Sequence, residues 1–329
     1  MIELHRLPLV LGLVSGRPVS WMGVGSLMAT MLADGHGPSC RHCGGCRHSE
    51  DRAVRGMARR RGDAGSVGPV RIARYAVPGP GGDRVTYGVV DGDAAGATVT
   101  AIAGHPVSAP MLTDDRRALD DVRLLAPFIP SKVVAVGKNY AEHAAEMGGV
   151  PPERPLLFLK PSTAVVGPME PIAYPSDSER VDYEGELAVV IGRLCRDVAV
   201  EQAYDVILGY TCGNDVTARD QQAADGQWTR AKGHDTFCPL GPWVETDLDP
   251  SDLAIQTTLD GEVKQAARTS MLLHDVATLV SYASSCMTLL PGDVLLTGTP
   301  AGVGPMHPGQ TVAVTIEGIG TLSNPVVSR

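Results

Sequence analysis

The segment Val181-Asp182-Tyr183-Glu184-Gly185-Glu186-Leu187-Ala188-Val189-Val190-Ile191-Gly192 opens with three acids and ends in a continuous apolar run. Such a run predicts a strand that is buried on both faces. Side chains alternate along a strand, so Glu184 and Glu186 should project from one side with their carboxylates close together. Gly185, between them, should leave the opposite face open. The alternative is a strand end whose acids are solvated.

Neighbouring carboxylates repel each other unless one is protonated or a cation lies between them. Asp215 is the candidate third acid, because it follows the apolar stretch Val206 to Tyr210 where strand gives way to helix. Three carboxylates without a matching Cys or His cluster favour Mg²⁺, Mn²⁺ or Ca²⁺ over zinc. We therefore predict a metal site at Glu184, Glu186 and Asp215.

A second set of residues has the spacing of an acid–base pair. His143 and Glu146 are three residues apart, which places them on one face of a helix. Glu146 could orient the imidazole and make His143 a general base near neutral pH. An exposed His–Glu pair without a catalytic role is the alternative.

Four residues are candidate contacts for an anionic substrate. The chain has only five lysines, and Lys160 and Lys232 lie beside apolar, Gly or Pro residues. An ammonium group near the acids could anchor a carboxylate or stabilise an enolate, whereas the alternative role is surface solubility. Arg219 and Gln222 stand one helical turn apart, just after Asp215, and could bind a substrate carboxylate.

Composition indicates a folded protein with small-molecule partners. Of 329 residues, 43% are hydrophobic and 20% are charged, enough to bury a full core. The 38 Gly and 25 Pro predict many turns between short strands, and hence a β-rich fold. The net charge of −9 argues against a nucleic-acid partner. The sequence has no run of eighteen apolar residues of the kind that would predict a membrane span. Scattered single cysteines in the main body predict buried thiols and a cytoplasmic protein.

Residues 1–70 differ in kind from the rest of the chain. This Arg/Gly-rich leader has nine Arg, no Lys and five acids, and it lacks a period of 2 or 3.6. We predict that it is disordered or not translated. Cys40, Cys43 and Cys46 have the spacing of zinc ligands, but no second ligand pair follows, so adventitious metal binding or disorder is the alternative.

Two folded domains should follow the leader. Residues 71–126 contain short alternating runs separated by Gly, Pro and Asp-Gly turns, which predict a small β domain. Residues 127–329 mix strands with a few helices and carry every candidate site residue, so they form the predicted catalytic domain.

Six motifs occur in order along residues 136–300. They are Val136-Gly137-Lys138-Asn139-Tyr140 with His143 and Glu146, Phe158-Leu159-Lys160-Pro161, Asp182-Tyr183-Glu184-Gly185-Glu186, Gly213-Asn214-Asp215-Val216-Thr217-Ala218-Arg219-Asp220, Thr236-Phe237-Cys238-Pro239-Leu240-Gly241-Pro242 and Leu296-Thr297-Gly298-Thr299-Pro300. Together they resemble the fumarylacetoacetate hydrolase family, in the bacterial branch of acylpyruvate hydrolases, oxaloacetate decarboxylases and 2-hydroxyhepta-2,4-diene-1,7-dioate isomerases. The resemblance implies a β-rich α+β fold, with a mixed β-roll catalytic domain and a small N-terminal β domain, and a homodimer.

The resemblance also implies roles for the candidate residues. The three acids would hold Mg²⁺ or Mn²⁺, with no organic cofactor, and the metal would bind a small 2-oxo acid through its carboxylate and keto oxygens. His143 and Glu146 would activate water or transfer protons, and Lys232 would lie near the developing enolate. The implied substrate contacts are Lys160, Arg219, Gln222 and Thr299.

The implied reaction is hydrolysis of a C–C bond in an acylpyruvate or fumarylacetoacetate-type acid through a metal-bound enolate, as in aromatic catabolism. Decarboxylation of oxaloacetate and isomerisation of 2-hydroxyhepta-2,4-diene-1,7-dioate are the alternatives within the family. An inactive metal-binding or scaffold protein is the alternative from another class. Two positions depart from the family pattern, because residues 136–139 lack a carboxylate and His234 stands where an aromatic residue, commonly Phe, is expected.

Overall fold

The computed structural model describes residues 70–92 and 96–329. Our predictions for the leader, including its cysteines, lie outside the described residues. The strands are β1 (Arg71–Val77), β2 (Arg84–Asp91), β3 (Thr98–His105), β4 (Ser108–Ala118), β5 (Arg123–Leu125), β6 (Val133–Gly137), β7 (Leu156–Lys160), β8 (Val165–Val166), β9 (Ile172–Tyr174), β10 (Val181–Tyr183), β11 (Gly185–Ile191), β12 (Ile207–Asn214), β13 (Thr217–Ala218), β14 (Cys238–Glu245), β15 (Ala254–Leu259), β16 (Glu262–Arg268), β17 (Val294–Leu296), β18 (Gly304–Pro305), β19 (Thr311–Ile316) and β20 (Gly320–Ser328). The α-helices are α1 (Ala141–Glu146), α2 (Arg219–Asp225), α3 (Thr229–Gly233) and α4 (Val276–Cys286).

Three sheets organise these strands. The largest follows the order β4-β3-β2-β1-β14-β12-β11-β17-β6-β7, with β5 beside β1 and β8 beside β14. A five-stranded sheet has the order β16-β15-β19-β20-β9, and a three-stranded sheet has the order β13-β10-β18. Most neighbours are antiparallel, but β17 and β6 run parallel. The predicted β-rich α+β architecture, mixed in strand direction and with few helices, is confirmed.

The N-terminal strands form the predicted small meander. Strand β1 pairs with β2 from Arg71 opposite Val90 to Val77 opposite Arg84. It also pairs with β14, where Ile72 lies opposite Val244, so the meander extends the main sheet. The boundary that we place near residue 126 stays a prediction.

The apolar run of β11 forms a central strand. Leu187, Val189 and Ile191 pack in one core with helix α4, whereas Ala188 and Val190 pack in a second core on the other face. Strands β12 and β17 flank β11 within the sheet. Both faces are therefore covered, which explains why the run does not alternate between apolar and polar residues.

The opposite side of Gly185 is closed, contrary to our expectation. A Cβ placed on Gly185 would lie 2.0 Å from Thr257 Oγ1 on β15. Gln265 of β16 also reaches this point, where its Oε1 accepts the Gly185 N–H at 3.0 Å. The expectation was wrong because the five-stranded sheet packs directly on this strand. Only a residue without a side chain fits between the two sheets.

The cysteines and the helices agree with the predictions from the sequence, with one exception. Among the cysteines that the structure describes, Cys195, Cys212 and Cys238 are buried as predicted, but Cys286 is exposed at the end of α4. Within the described ranges, no helix has both the length and the apolar character needed to cross a membrane.

Asp293 ties β6 to β17 from a position that is 1% exposed. Its carboxylate accepts hydrogen bonds from the backbone of Ser131, Lys132 and Leu290 and from the Lys132 ammonium group. Burial raises the pKa of Asp293, but Lys132 and Ser131 outweigh it and hold the pKa below its usual range.

Replacing this carboxylate should weaken the fold in a pH-dependent way. We expect Asp293→Ala to lower the free energy of unfolding at pH 7 by about 3 kcal/mol, because buried donors lose their acceptor. A depressed pKa stabilises the fold above the ordinary carboxyl range and loses that contribution as pH falls, so the difference from wild type should shrink below about pH 4. Urea unfolding at several pH values tests this. The control Asp252→Ala removes an exposed carboxylate and should cost about 1 kcal/mol or less. A pH-independent difference would contradict the assignment.

Candidate active site

Three buried carboxylates converge where β11 meets β12. Glu184 lies in the break between β10 and β11, Glu186 is on β11, and Asp215 directly follows β12. Pairing of Gly185 with Asn214 brings these positions together. Carboxylate oxygens of the three residues, here called the acidic triad, lie within 4.8 Å of one another, and each residue is at most 3% exposed. The alternative of a solvated strand end is thus wrong.

Backbone hydrogen bonds hold the acidic triad in place. The Asp215 N–H donates to the Glu184 carbonyl at 2.8 Å, and the Glu184 N–H donates to Asn214 Oδ1 at 2.9 Å. Glu186 Oε2 accepts the Gly298 N–H at 2.6 Å. Each acid is therefore anchored close to its own strand end, which limits how far the carboxylates can move apart.

Three cations surround the acidic triad. Lys232 of α3 donates to Glu184 Oε2 at 2.8 Å and to Asp215 Oδ2 at 2.6 Å. Lys160 of β7 donates to Asp215 Oδ1 at 2.5 Å. Arg219 donates to Glu184 Oε1. The formal charges of these six groups sum to zero when all three carboxylates are ionised, so a divalent cation bound to the ionised acids would make the site positive and attract an anionic substrate.

The surroundings shift the pKa values of Glu184 and Glu186 in opposite directions. Burial opposes ionisation of Glu184, but Lys232 and Arg219 outweigh it and keep its pKa well below the usual range. Burial and the charges of Asp215 and Glu184 raise the pKa of Glu186 well above the usual range. Burial alone would lower the pKa of Lys232, but Asp215 and Glu184 raise it, so Lys232 remains an ammonium ion.

The acidic triad fits a divalent cation that prefers oxygen ligands. Its donors are carboxylate oxygens on three short, anchored segments, and they are close enough to share one ion. A bound cation would also relieve the repulsion that raises the pKa of Glu186. Mg²⁺ and Mn²⁺ match such a donor set better than zinc does.

The predicted His–Glu pair is present on α1. His143 Nδ1 lies 3.3 Å from Glu146 Oε2, and Glu146 also accepts the Gly302 N–H at 3.2 Å. The His143 side chain is 6% exposed and that of Glu146 is 34% exposed. Because Glu146 engages Nδ1, Nε2 is the nitrogen that can exchange a proton with a reactant.

One cavity of about 790 Å³ brings the predicted residues together. It is lined by nine of the ten candidates from the sequence, which are His143, Glu146, Glu184, Glu186, Asp215, Arg219, Gln222, Lys232 and Thr299. Arg219 also donates to Gln222 Oε1 at 3.0 Å, as their spacing predicts. Thr299 Oγ1 donates to the Gly185 carbonyl at 3.0 Å, which fixes its position in the wall.

Two positions differ from the expected picture. Lys160 is 1% exposed and lies behind Asp215, where it also donates to the Val216 carbonyl at 3.2 Å. It is not part of the cavity lining, so its geometry suits holding Asp215, and its role as a substrate contact stays a prediction. His234 also lies outside the cavity lining. Its Nε2 is 2.7 Å from Gln221 Oε1, and its ring packs on Phe237.

Two residues that build the site were not assigned a role from the sequence. Asn139 donates to the carbonyls of His274 and Thr297 at 3.0 and 2.8 Å, which ties the α1 loop to the Thr299 loop. Its amide, next to Lys138 at the end of an apolar strand, is the signal that could have identified it. Gln265 donates to Thr299 Oγ1 at 2.8 Å, but its place on an ordinary strand offers no such signal.

Comparison with known proteins identifies the family of the chain. The family profile described as "Fumarylacetoacetate (FAA) hydrolase C-terminal" matches residues 132–327. The chain belongs to the fumarylacetoacetate hydrolase family. A second profile, "Rv2993c-like, N-terminal", matches residues 70–127, the region of the meander.

Mycobacterial proteins are among the most similar relatives. Protein Rv2993c of Mycobacterium tuberculosis is 58% identical over 266 residues, which cover 79% of this chain and 99% of that protein. A crystal structure from Mycobacterium smegmatis, described as a 5-carboxymethyl-2-hydroxymuconate delta-isomerase, is 57% identical with a TM-score of 0.73. That match covers 79% of this chain and all of the M. smegmatis chain.

More distant family members are described with other activities. An oxaloacetate decarboxylase from Dictyostelium discoideum is 43% identical, in a match that covers 58% of this chain and 90% of that protein. Fumarylpyruvate hydrolase from Pseudomonas aeruginosa, crystallised with Mn²⁺ and pyruvate, is 38% identical with a TM-score of 0.59. The match covers 61% of this chain and 91% of the P. aeruginosa chain. Family membership therefore leaves hydrolysis, decarboxylation and isomerisation open.

Proposed function

We propose that this protein is a divalent-metal-dependent hydrolase that cleaves the C–C bond of an acylpyruvate, releasing pyruvate and a carboxylic acid. The observation that carries this proposal is the His143–Glu146 pair, which faces the same cavity as the acidic triad. A hydrolase needs a base for water, and the free Nε2 of His143 can serve as one. The relative crystallised with Mn²⁺ and pyruvate supports the same reaction class.

The acidic triad is the part of the site that would hold the metal. A divalent cation, when bound there, supplies Lewis-acid polarisation of a carbonyl oxygen. The surrounding Lys160 and Lys232 each contact the Asp215 carboxylate and hold it in position for this role. Arg219 holds Glu184 in the same way, and it also donates to Asp182 at 2.8 Å.

Proton transfer is assigned to His143. Its Nε2 takes a proton from water, and the hydroxide attacks the acyl carbonyl of the substrate. The bond between the acyl carbon and C3 then breaks, the acyl group leaves as a carboxylic acid, and the electron pair passes to the enolate of pyruvate. The His143 imidazolium returns its proton to C3, which yields pyruvate. Glu146 stabilises the imidazolium between these two steps.

Lys232 is placed to stabilise negative charge on the substrate. An ammonium group has three donors, and the contacts to Glu184 and Asp215 use two of them. The third can donate to an oxygen that becomes negative as the C–C bond breaks. The Phe158 ring, whose centroid is 5.1 Å from Nζ, shields this charge from water on one side.

Decarboxylation of oxaloacetate is the second candidate. It needs the same stabilisation of a pyruvate enolate but no attacking water, and the Dictyostelium relative carries this activity in its name. An inactive scaffold is disfavoured, because the acids, Lys232 and His143 are all present and assembled in one cavity.

Pyruvate release tests the proposal directly. We expect the protein to release pyruvate from acetylpyruvate with Mn²⁺ or Mg²⁺, and EDTA should abolish that release, as measured by coupling to lactate dehydrogenase. Oxaloacetate should be the poorer substrate after subtraction of its metal-catalysed decay. A faster reaction with oxaloacetate would favour the decarboxylase. No pyruvate from either acid would overturn both candidates.

A further inference from the structure

Lys138 is a cation of the cavity wall that the reaction above does not use. It directly follows β6, is half-buried, and lines the cavity together with His143. Its Nζ lies against Gly149, where an added Cβ would stand 2.9 Å from that atom. Within the described part of the chain, no hydrogen bond or ion pair engages its side chain.

The other cations of the cavity are already paired. Arg180 donates to both oxygens of Asp182, at 2.9 and 3.1 Å. Arg219 and Lys232 donate to the acidic triad. Lys138 is therefore the one lining Lys or Arg without a carboxylate partner among the described residues. An ammonium group that has no counter-ion in the cavity wall is available to pair with an anion that enters the cavity.

The backbone at Lys138 is strained. Its φ of 57° places it in the left-handed region, which is unfavourable for a residue with a Cβ. Glycine would make the same turn without that cost. Strained residues of this kind cluster at functional sites, where the side chain is needed despite the conformation.

We propose that Lys138 binds a second carboxylate at the far end of the substrate, so that the preferred acylpyruvates carry an acidic acyl arm. This inference rests on the proposed function. His143 acts at the acyl carbonyl, on the side of the reacting bond away from the pyruvate carboxylate. Lys138 lies in the loop that leads into α1, His143 lies on α1 itself, and both line the cavity, so the acyl arm is assigned to the wall where Lys138 stands.

Substitution of Lys138 tests the inference through specificity. We expect Lys138→Met to lower kcat/KM for fumarylpyruvate about 10- to 100-fold, mainly through KM, because a charge-assisted hydrogen bond is lost. The value for acetylpyruvate, whose acyl arm is neutral, should fall far less. Lys138→Arg should retain most of the preference. Lys264→Met, which removes an ammonium that pairs with Glu262 outside the cavity, is the matched control.

A second variant separates the side chain from the fold. Lys138→Gly removes both the charge and the left-handed strain, so it should unfold within a few degrees of wild type and still lose the preference. The same preference can be measured without turnover from the rise in melting temperature that 2-oxoglutarate or 2-oxovalerate causes in the presence of Mn²⁺. The first ligand carries a second carboxylate and the second does not. Equal effects of Lys138 substitution on both ligands, or no effect, would overturn the inference. Inactivity of the wild type with every acylpyruvate, with the ligand preference intact, would instead overturn the proposed function alone.

Discussion

Asp215→Asn should abolish stabilisation by Mn²⁺ and reduce pyruvate release by about 1,000-fold or more. The substitution preserves shape but removes one of three carboxylates that lie within 4.8 Å of one another. It also leaves Lys160, whose side chain is fully buried, without its counter-ion. We therefore expect the metal-free variant to be less stable than the wild type by about 3 kcal/mol.

Thermal unfolding with and without Mn²⁺ measures the first effect, because a ligand that binds the native state raises the melting temperature. The wild type should show an increase that grows with metal concentration, and the variant should show none. Asp197→Asn changes an exposed carboxylate in the same way and should behave as the wild type. An unchanged metal response in Asp215→Asn would mean that the acidic triad is not the metal site.

His143→Gln should reduce the rate of pyruvate release from acetylpyruvate by about 10²- to 10⁴-fold, the usual contribution of a general base. The stabilisation by Mn²⁺ should persist, because His143 is not part of the acidic triad. This combination distinguishes loss of proton transfer from loss of the metal. Glu146→Gln should have a smaller effect, since it removes the group that orients Nδ1 and leaves Nε2 in place.

Glu142→Gln on the same helix is the matched control for His143→Gln, because it changes an exposed carboxylate that does not line the cavity. A His143→Gln variant that keeps the wild-type rate would remove His143 from the mechanism.

The candidate site residues could be predicted from local sequence because side chains repeat along a strand and along a helix with characteristic periods. Alternation along the strand after Tyr183 aligns Glu184 and Glu186, and the three-residue spacing of His143 and Glu146 requires one turn of helix. These relations involve neighbours in the chain. They hold in any fold that keeps the strand and the helix.

The partners of those residues could not be predicted in the same way. Lys160 and Asp215 are 55 residues apart, and Gln265 reaches Gly185 across 80 residues. Nothing local distinguishes Lys160, which lies behind the acidic triad, from Lys138, which lines the cavity and has no partner among the residues that the structure describes. Sheet order and packing between sheets decide these contacts.

The sequence by itself therefore determined which groups are candidates to bind a metal and to move a proton, and it determined that a strand carries the acids and a helix carries the His–Glu pair. Only the tertiary structure decided that the three acids share one buried point and that three cations balance their charge. It also decided that the space opposite Gly185 is closed by β15. The physical reason is that strand and helix periods act over a few residues, whereas burial, charge balance and desolvation depend on segments that are distant in the chain.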